Sequence, residues 1–363
     1  MLPYPGTAKA DLDTPALCLD IAVVESNIHR MADLVKDTPV RLRPHSKTHK
    51  SPLLAKMQLD AGAIGITCAK LGEAEEMGKA GIRDILIANQ IVGDIKIARL
   101  VNLAAYTDVM VAVDNWENVQ ALSAAAQQTG VRLRTIIEVD VGMGRCGTLP
   151  GEETLALARK IVTLPGLRFE GLMGYEGHLV MTPDHNERKQ KTMRDLAMLT
   201  STADLLRQNG IAVKIVSAGG TGTADITCHV PGITDIQVGS YITMDAQYRE
   251  NVGVKFDYGL TVLCTVISTR GGDHAIIDAG LKTLTRDFGL PKVMHPAGWN
   301  LTALSEEHGF LKRVDGPPLS IGDKVEVIPN HGCTTINLHN NYHVIRNGRL
   351  QAIWPIAGRG KVM

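Results

Sequence analysis

From residue 41 to residue 241 the chain keeps one rhythm. Short β-branched runs end in polar or glycine residues, and an Ala/Leu/Glu-rich stretch with helical spacing usually follows. The runs are Val40–Lys47, Gly65–Lys70, Asp84–Asn89, Asp108–Asp114, Arg134–Asp140, Phe169–Gly177, Val213–Gly220 and Asp235–Tyr241. Helical patterns fall between most of them, at Gly72–Ala80, Trp116–Thr129, Glu152–Leu164 and Asn186–Asn209. Strand–helix alternation requires a parallel sheet with right-handed crossovers, because consecutive parallel strands cannot be joined by a tight turn. Eight such strands favour closure into a (β/α)8 TIM-like barrel over an open sheet.

After Tyr248 the rhythm stops. Tyr258–Thr269, Ala275–Asp278, Lys324–Ile328, Tyr342–Arg346 and Gln351–Ile356 read as strands separated by Gly, Asn and Asp turns, without helices between them. This predicts a mostly antiparallel C-terminal β domain. The early run Ala16–Ile21 is assigned to the same domain, followed by a helix at Val24–Asp37. The expected division is a barrel over residues 26–252 and a β domain over 1–25 and 253–363. A chain of 363 residues is long enough for two cores.

Thirty-eight basic and 38 acidic side chains cancel, so charge gives no reason to expect nucleic acid or an anionic membrane as partner. No apolar stretch is long enough to span a bilayer, and Met1–Gly6 lacks the basic-then-apolar order of a secretory leader. Six scattered cysteines without a CxxC pair suit reduced thiols. A cytoplasmic enzyme is the expectation.

The most informative segment runs from Arg41 to Lys50. On a strand, alternate side chains share a face, which groups Arg41, Arg43, His45, Lys47 and His49. Several cations buried together need anions, and a bound anionic ligand with carboxylates such as Glu138 and Asp140 can supply them. A lysine crowded by cations and partly desolvated has the lowered pKa that imine formation requires. The alternative is an edge strand with a solvated basic face. Ser217–Thr223, with Gly220, Thr221 and Gly222, follows the seventh strand, and Gly239, Ser240 and Tyr241 end the eighth. Those are the barrel corners where phosphate sites occur. Plain glycine turns are the competing reading, and the spacing is not a dinucleotide fingerprint. Arg145 can reach a cofactor oxygen or an anionic substrate, or bridge loops. Tyr175 and His178 close the sixth strand, where Tyr175 can pack on a cofactor ring or stand at the barrel rim without function, and Asn89 ends the third strand as a candidate of the same kind.

His331 and Cys333 stand two apart after a strand of the β domain. On extended backbone both can reach one ion, and a His/Cys pair suits Zn2+ and similar metals. A structural histidine beside a buried thiol is the competing reading. His339 and His343 read as surface or packing residues.

The motif PHSKTHK at 44–50 resembles the cofactor-lysine motif of the D-threonine aldolase and D-serine dehydratase family, fold-type III pyridoxal-phosphate enzymes similar in architecture to alanine racemase. The resemblance extends through TPALCLD (14–20), EVDVGMGRCG (138–147), GGTG (219–222), QVGSYITMD (237–245), DAGLK (278–282), SEEHG (305–309) and HGC (331–333). It implies that Lys47 carries pyridoxal 5'-phosphate as a Schiff base, with His45, Arg145 and Tyr175 in the cofactor set. It implies that the loops at Gly219–Gly222 and Gly239–Tyr241 hold the phosphate. His331 and Cys333 correspond to the family's ligands for a divalent metal such as Zn2+ or Mn2+, which gives His331 a catalytic role beside Lys47. GRCG, GGTG, GSY with MD, and DAGLK look aldolase-like. The His-x-Cys pair, and more weakly SKT at 46–48, look dehydratase-like. The expected substrate is a small D-β-hydroxy-α-amino acid. Retro-aldol cleavage to glycine and an aldehyde is the first reading, and elimination to a 2-oxo acid and ammonia from D-serine or 3-hydroxy-D-aspartate is the second. A racemase or a non-catalytic pyridoxal-phosphate carrier stands behind these. Related two-domain enzymes suggest a homodimer.

Overall fold

The computed structural model describes residues 4–363. Met1–Pro3, where the reading of the N-terminal segment and of the β domain began, lie outside the described residues. The chain divides into two compact units. One comprises residues 30–47, 51–239 and 360–363, and the other residues up to 29, 48–50 and 240–359. This differs from the expected boundary by drawing 26–29, 48–50 and 240–252 into the β unit and 360–363 into the barrel unit.

The chain opens with β1 (Ala16–Asp20) and α1 (Ile21–Val35), then alternates through β2 (Arg41–Leu42), α2 (Pro52–Asp60), β3 (Ile66–Cys68), α3 (Leu71–Lys79), β4 (Asp84–Gln90) and α4 (Asp94–Ala104). It continues through β5 (Asp108–Val113), α5 (Trp116–Thr129), β6 (Leu133–Glu138), α6 (Glu152–Ile161), β7 (Leu167–Met173), α7 (His185–Gln208), β8 (Ile215–Ala218), α8 (Ala224–Thr227) and β9 (Asp235–Ile236). Strands β2 to β9 form the eight-stranded parallel sheet that the sequence rhythm predicts, in the order β2-β9-β8-β7-β6-β5-β4-β3. A parallel bridge between His45 and Thr67 brings its two ends together and closes the ring.

The inward face of the barrel is layered. Along β6, Arg134, Ile136 and Glu138 share a face by the two-residue period, and along β4 Asp84, Leu86, Ala88 and Gln90 do the same. The middle layer is apolar: Leu86, Met110, Ala112, Ile136 and Met173 pack together, with Ala88 and Ile215 against them. At the strands' C-terminal ends Gln90 donates to Glu138 at 2.6 Å. At their N-terminal ends lies a network of ion pairs. Arg43 donates to Asp235 at 2.9 Å and to Asp84 at 2.6 Å, and Arg134 donates to the same Asp84 oxygen at 3.1 Å and to Asp108 at 2.9 Å. Gly65 makes room for it, since a Cβ there would lie 2.4 Å from an Arg43 guanidinium nitrogen.

This corrects the basic-strand expectation. Only Arg41–Leu42 is regular strand; beyond it the segment stays joined to its neighbours by single bonds, from the Arg43 amide to the Ile236 carbonyl at 3.0 Å and from the His45 amide to the Val238 carbonyl at 2.8 Å. Arg41 is exposed, and Arg43 is neutralised by Asp84 and Asp235 rather than by a ligand. The five basic residues therefore do not form one ligand-facing row. Asp140 is not an inward anion either: its carboxylate accepts the Gly142 and Gly144 amides and folds its own loop.

In the β unit, β10 (Leu260–Arg270), β11 (His274–Ile277), β12 (Lys292–His295), β13 (Trp299–Leu304), β14 (Gly309–Arg313), β15 (Lys324–Ile328), β16 (Asn341–Arg346) and β17 (Arg349–Pro355) join β1 in a nine-stranded sheet. A short helix, α9 (Gly332–Ile336), follows β15. All pairings are antiparallel except that of β1 with β16. The sequence reading missed β12, β13 and β14. β13 does alternate buried and exposed residues at first, from Trp299 to Thr302, but over too short a span to rise above the surrounding turns.

Replacing Arg43 with alanine leaves Asp235 buried without its guanidinium. The expected outcome is a loss of about 3–5 kcal/mol, read as a lower urea midpoint for the barrel unit. The same change at half-exposed Arg168, which pairs with Glu170, is expected to cost about 1 kcal/mol or less. Equal midpoints for the two variants would show that the buried network does not hold the barrel.

Candidate active site

In the barrel unit the site assembles around one ring. Tyr175 lies in the segment leaving β7. The Lys47 ammonium stands 5.4 Å from its ring centre and the Arg145 guanidinium 5.7 Å from it. A Cβ on Gly220 would sit 3.2 Å from the ring edge, so the loop after β8 passes directly against the same ring. Lys47, Arg145, Tyr175 and Gly220 are thus neighbours, drawn from four different strand ends. His45 Nδ1 accepts the Lys47 amide at 3.4 Å, which places His45 at the backbone of the lysine.

The loop after β8 is held from behind by a residue the sequence reading did not single out. Glu176 is fully buried and accepts from the Gly219 amide at 3.2 Å, the Thr223 hydroxyl at 2.7 Å and the Thr227 hydroxyl at 2.9 Å. Thr223 in turn accepts the Gly220 amide at 3.2 Å. At Gly222 a side chain is impossible, since a Cβ would lie 2.0 Å from the Val180 carbonyl oxygen. A glycine loop braced this way, with Thr221 buried at its turn, has the form of loops that can cradle a phosphate. A lysine, an arginine and a ring beside it fit the rest of pyridoxal phosphate.

Two further polar pairs lie at this end. Glu138 is buried, and burial pushes its carboxyl above the usual range despite Gln90 and Arg145, the latter 3.6 Å away. His178 hydrogen-bonds through Nε2 to the buried Asp195 of α7 at 2.9 Å. The sequence places His178 at a strand end. Its partner, seventeen residues on and inside a helix, gives no motif. Asn89 donates to the Ala69 carbonyl and joins loops.

In the β unit His331 and Cys333 do face one another, but not on extended backbone. His331 is extended and caps α9, whose first turn carries Cys333. Burial alone would lower the His331 pKa, but the Cys333 sulfur and the Asp245 carboxylate outweigh it and hold the ring proton up to about 10. Cys333 Sγ donates to the Thr48 hydroxyl at 3.2 Å, and Ser240 Oγ lies 3.9 Å from it. Phe288 sets its ring edge-on to His331 at 4.8 Å. Among the described residues no group of three or more His, Cys, Asp or Glu forms a metal cage. A two-donor site leaves positions for water and substrate, as catalytic metals need. Ser240 therefore stands by the His331–Cys333 pair. Tyr241 is buried with its ring 5.6 Å from Phe256, so its side chain belongs to the core. Gly239 ends the barrel unit. His339 bonds the Thr283 carbonyl, and His343 lies within β16.

Comparison with known proteins agrees with this architecture. Residues 19–247 match the alanine racemase N-terminal domain, and residues 259–345 match a putative serine dehydratase domain. The D-threonine aldolase of Arthrobacter sp. is 39% identical over 98% of this chain and 95% of its own. The solved D-threonine aldolase of Filomicrobium marinum superposes with a TM-score of 0.96 at 35% identity, covering all of both chains. The D-threo-3-hydroxyaspartate dehydratase of Delftia sp. HT23 is 32% identical over 89% of this chain and 92% of its own. Its structure has a TM-score of 0.88 and covers 96% of this chain and 98% of that one. That dehydratase has been solved with a cysteine replaced, in a metal-free form, and with a histidine two positions earlier replaced.

Two substitutions test the cofactor cradle. Lys47→Ala is expected to abolish the visible absorbance that pyridoxal phosphate acquires when bound through a lysine. Glu176→Gln removes one acceptor from three donors and is expected to weaken cofactor affinity about tenfold in fluorescence titration, at about 1–2 kcal/mol. Unchanged affinity would show that the loop holds its shape without the carboxylate.

Proposed function

The chain belongs to the D-threonine aldolase and D-serine dehydratase family of pyridoxal-phosphate lyases, and on that premise we propose that it cleaves D-β-hydroxy-α-amino acids to glycine and an aldehyde. The observation that carries this reading is the His178–Asp195 pair. Retro-aldol cleavage needs a base for the β-hydroxyl proton in addition to the lysine. His178 lies three residues after Tyr175, and its ring is oriented by a buried carboxylate.

When bound, pyridoxal phosphate supplies an electron sink for the pair released from the broken bond, and a divalent metal supplies a Lewis acid for the hydroxyl oxygen. The chain's own residues do the rest. Lys47 is the residue that would hold the cofactor. The loop from Gly219 to Gly222, braced by Glu176, would hold the phosphate end, and Tyr175, beside Lys47 and Arg145, would support the cofactor. Arg145 pairs with a substrate carboxylate or a cofactor oxygen. His178 Nδ1 takes the β-hydroxyl proton, while Asp195 at Nε2 keeps the charged ring in place. His331 and Cys333 are the residues that would hold the metal. Supporting a dehydratase as the second reading is the His-x-Cys pair, which has the spacing of the replaced histidine and cysteine in the Delftia dehydratase. There Lys47 would remove the α-proton and the hydroxyl would depart.

We further propose a small D-amino acid, rather than nucleic acid or a membrane, as the partner of a cytoplasmic homodimer; the balanced charge of the chain supports the small-molecule partner. Among the described residues no helix is long and apolar enough to cross a membrane.

The reading is tested with purified protein, pyridoxal phosphate, a divalent metal and either D-threonine or D-serine. Acetaldehyde and glycine in equal amounts are expected from D-threonine. A 2-oxo acid with ammonia as the main product would replace the aldolase by the dehydratase, and no turnover of either substrate would reject both. His178→Asn is expected to lower kcat for cleavage at least a hundredfold with KM changed severalfold at most.

A further inference from the structure

Asp245 has no part in the motif reading beyond closing QVGSYITMD, yet it is the most constrained acid in the β unit. It is buried and spends both oxygens on the metal-pair segment and its own turn. Oδ2 accepts from His331 Nδ1 at 3.1 Å and from the Gly332 amide at 3.2 Å, and Oδ1 accepts from the Tyr248 amide at 3.0 Å. The flanking backbones are joined as well. The Ala246 amide donates to the Pro329 carbonyl at 3.3 Å, and the Gln247 amide to the Asn330 carbonyl at 3.1 Å. Met244, just before Asp245, is buried at φ +52°, in the left-handed region that a large side chain adopts only when its surroundings demand it. A π-helical turn, Gln247–Val252, follows at once. Two irregularities of backbone thus flank one carboxylate.

We infer that Asp245 is a positioning residue that fixes the tautomer of His331, and through it the affinity for a divalent cation. This inference rests on the metal reading above. With Oδ2 taking the Nδ1 proton, the Nε2 lone pair is the one left for a cation. An amide in place of the carboxylate presents a donor to Nδ1 as readily as an acceptor. The proton can then move to Nε2, where it blocks coordination. The bond from Gly332 keeps the carboxylate at the pivot between His331 and Cys333, so the same group also sets the spacing of the two donors.

The test uses the full-length, cofactor-loaded protein and Zn2+ as the probe, with affinity measured by chelator competition. Asp245→Asn is expected to raise the Zn2+ dissociation constant 10–100-fold. In a His331→Ala background the same substitution is expected to change it less than threefold, because the ligand it acts through is gone. An equal fold-loss in both backgrounds would mean that Asp245 merely holds the segment folded, and would overturn the proposal. So would an Asp245→Asn protein that binds Zn2+ as tightly as the parent. A second measurement needs no variant at Asp245. Nitrogen-15 spectra of histidine-labelled protein with Zn2+ are expected to show His331 coordinated through Nε2 with Nδ1 protonated, and coordination through Nδ1 overturns the proposal. No Zn2+ binding by the parent chain would reject the metal reading, and this inference with it.

Discussion

Arg43 and Arg134 bring two guanidinium groups into the N-terminal end of the barrel, and Asp84 meets both. Buried charge of this kind is tolerated only when every member is paired. Asp235, Asp108 and Glu170 complete the pairing from strands that are far apart in sequence. The network therefore holds β2, β4, β5, β6, β7 and β9 at one level. Above it the apolar layer of Leu86, Met110 and Ile136 seals the interior, and the polar groups at the other ends of the strands are left to serve a ligand. Glu138 and Gln90 stand there on the same inward faces that carry Arg134 and Asp84 lower down.

Tyr175 has a comparable place at the upper end. It follows β7, while Lys47, Arg145 and Gly220 come from segments after β2, β6 and β8. No pair of these residues is close in sequence. The ring supplies a flat surface against which a lysine, an arginine and a glycine loop take defined positions. Directly after it Glu176 turns the other way and braces that loop from beneath.

The fold was largely legible because it is written in local periods. Helix α5 starts and stops where the pattern places it, from Trp116 to Thr129, between Asn115 as an N-cap and Gly130 in the left-handed conformation. The site was legible in part. Lysine, glycine loop and His-x-Cys are compact in sequence, and each has a shape that chemistry recognises. The row of basic residues misled because a sequence shows a charge and not its partner: Arg43 is neutralised by Asp235, 192 residues away. Glu176, Asp195 and Asp245 were illegible for the same reason. Each is an ordinary acid until the chain brings its donors to it.

The ion network joins six of the eight barrel strands at their N-terminal ends, while Lys47, Arg145, Tyr175 and the Gly219–Gly222 loop stand beyond the opposite ends, so the residues that secure the barrel and those proposed to hold its cofactor are separate sets. Drift at the upper loops can redirect the chemistry without touching Asp84 or Arg43. A lineage built on this barrel can therefore change what it cleaves, or switch from cleaving to eliminating, while inheriting its foundations unaltered. Relatives bearing both kinds of name lie within 32–39% identity of this chain, as that freedom would allow.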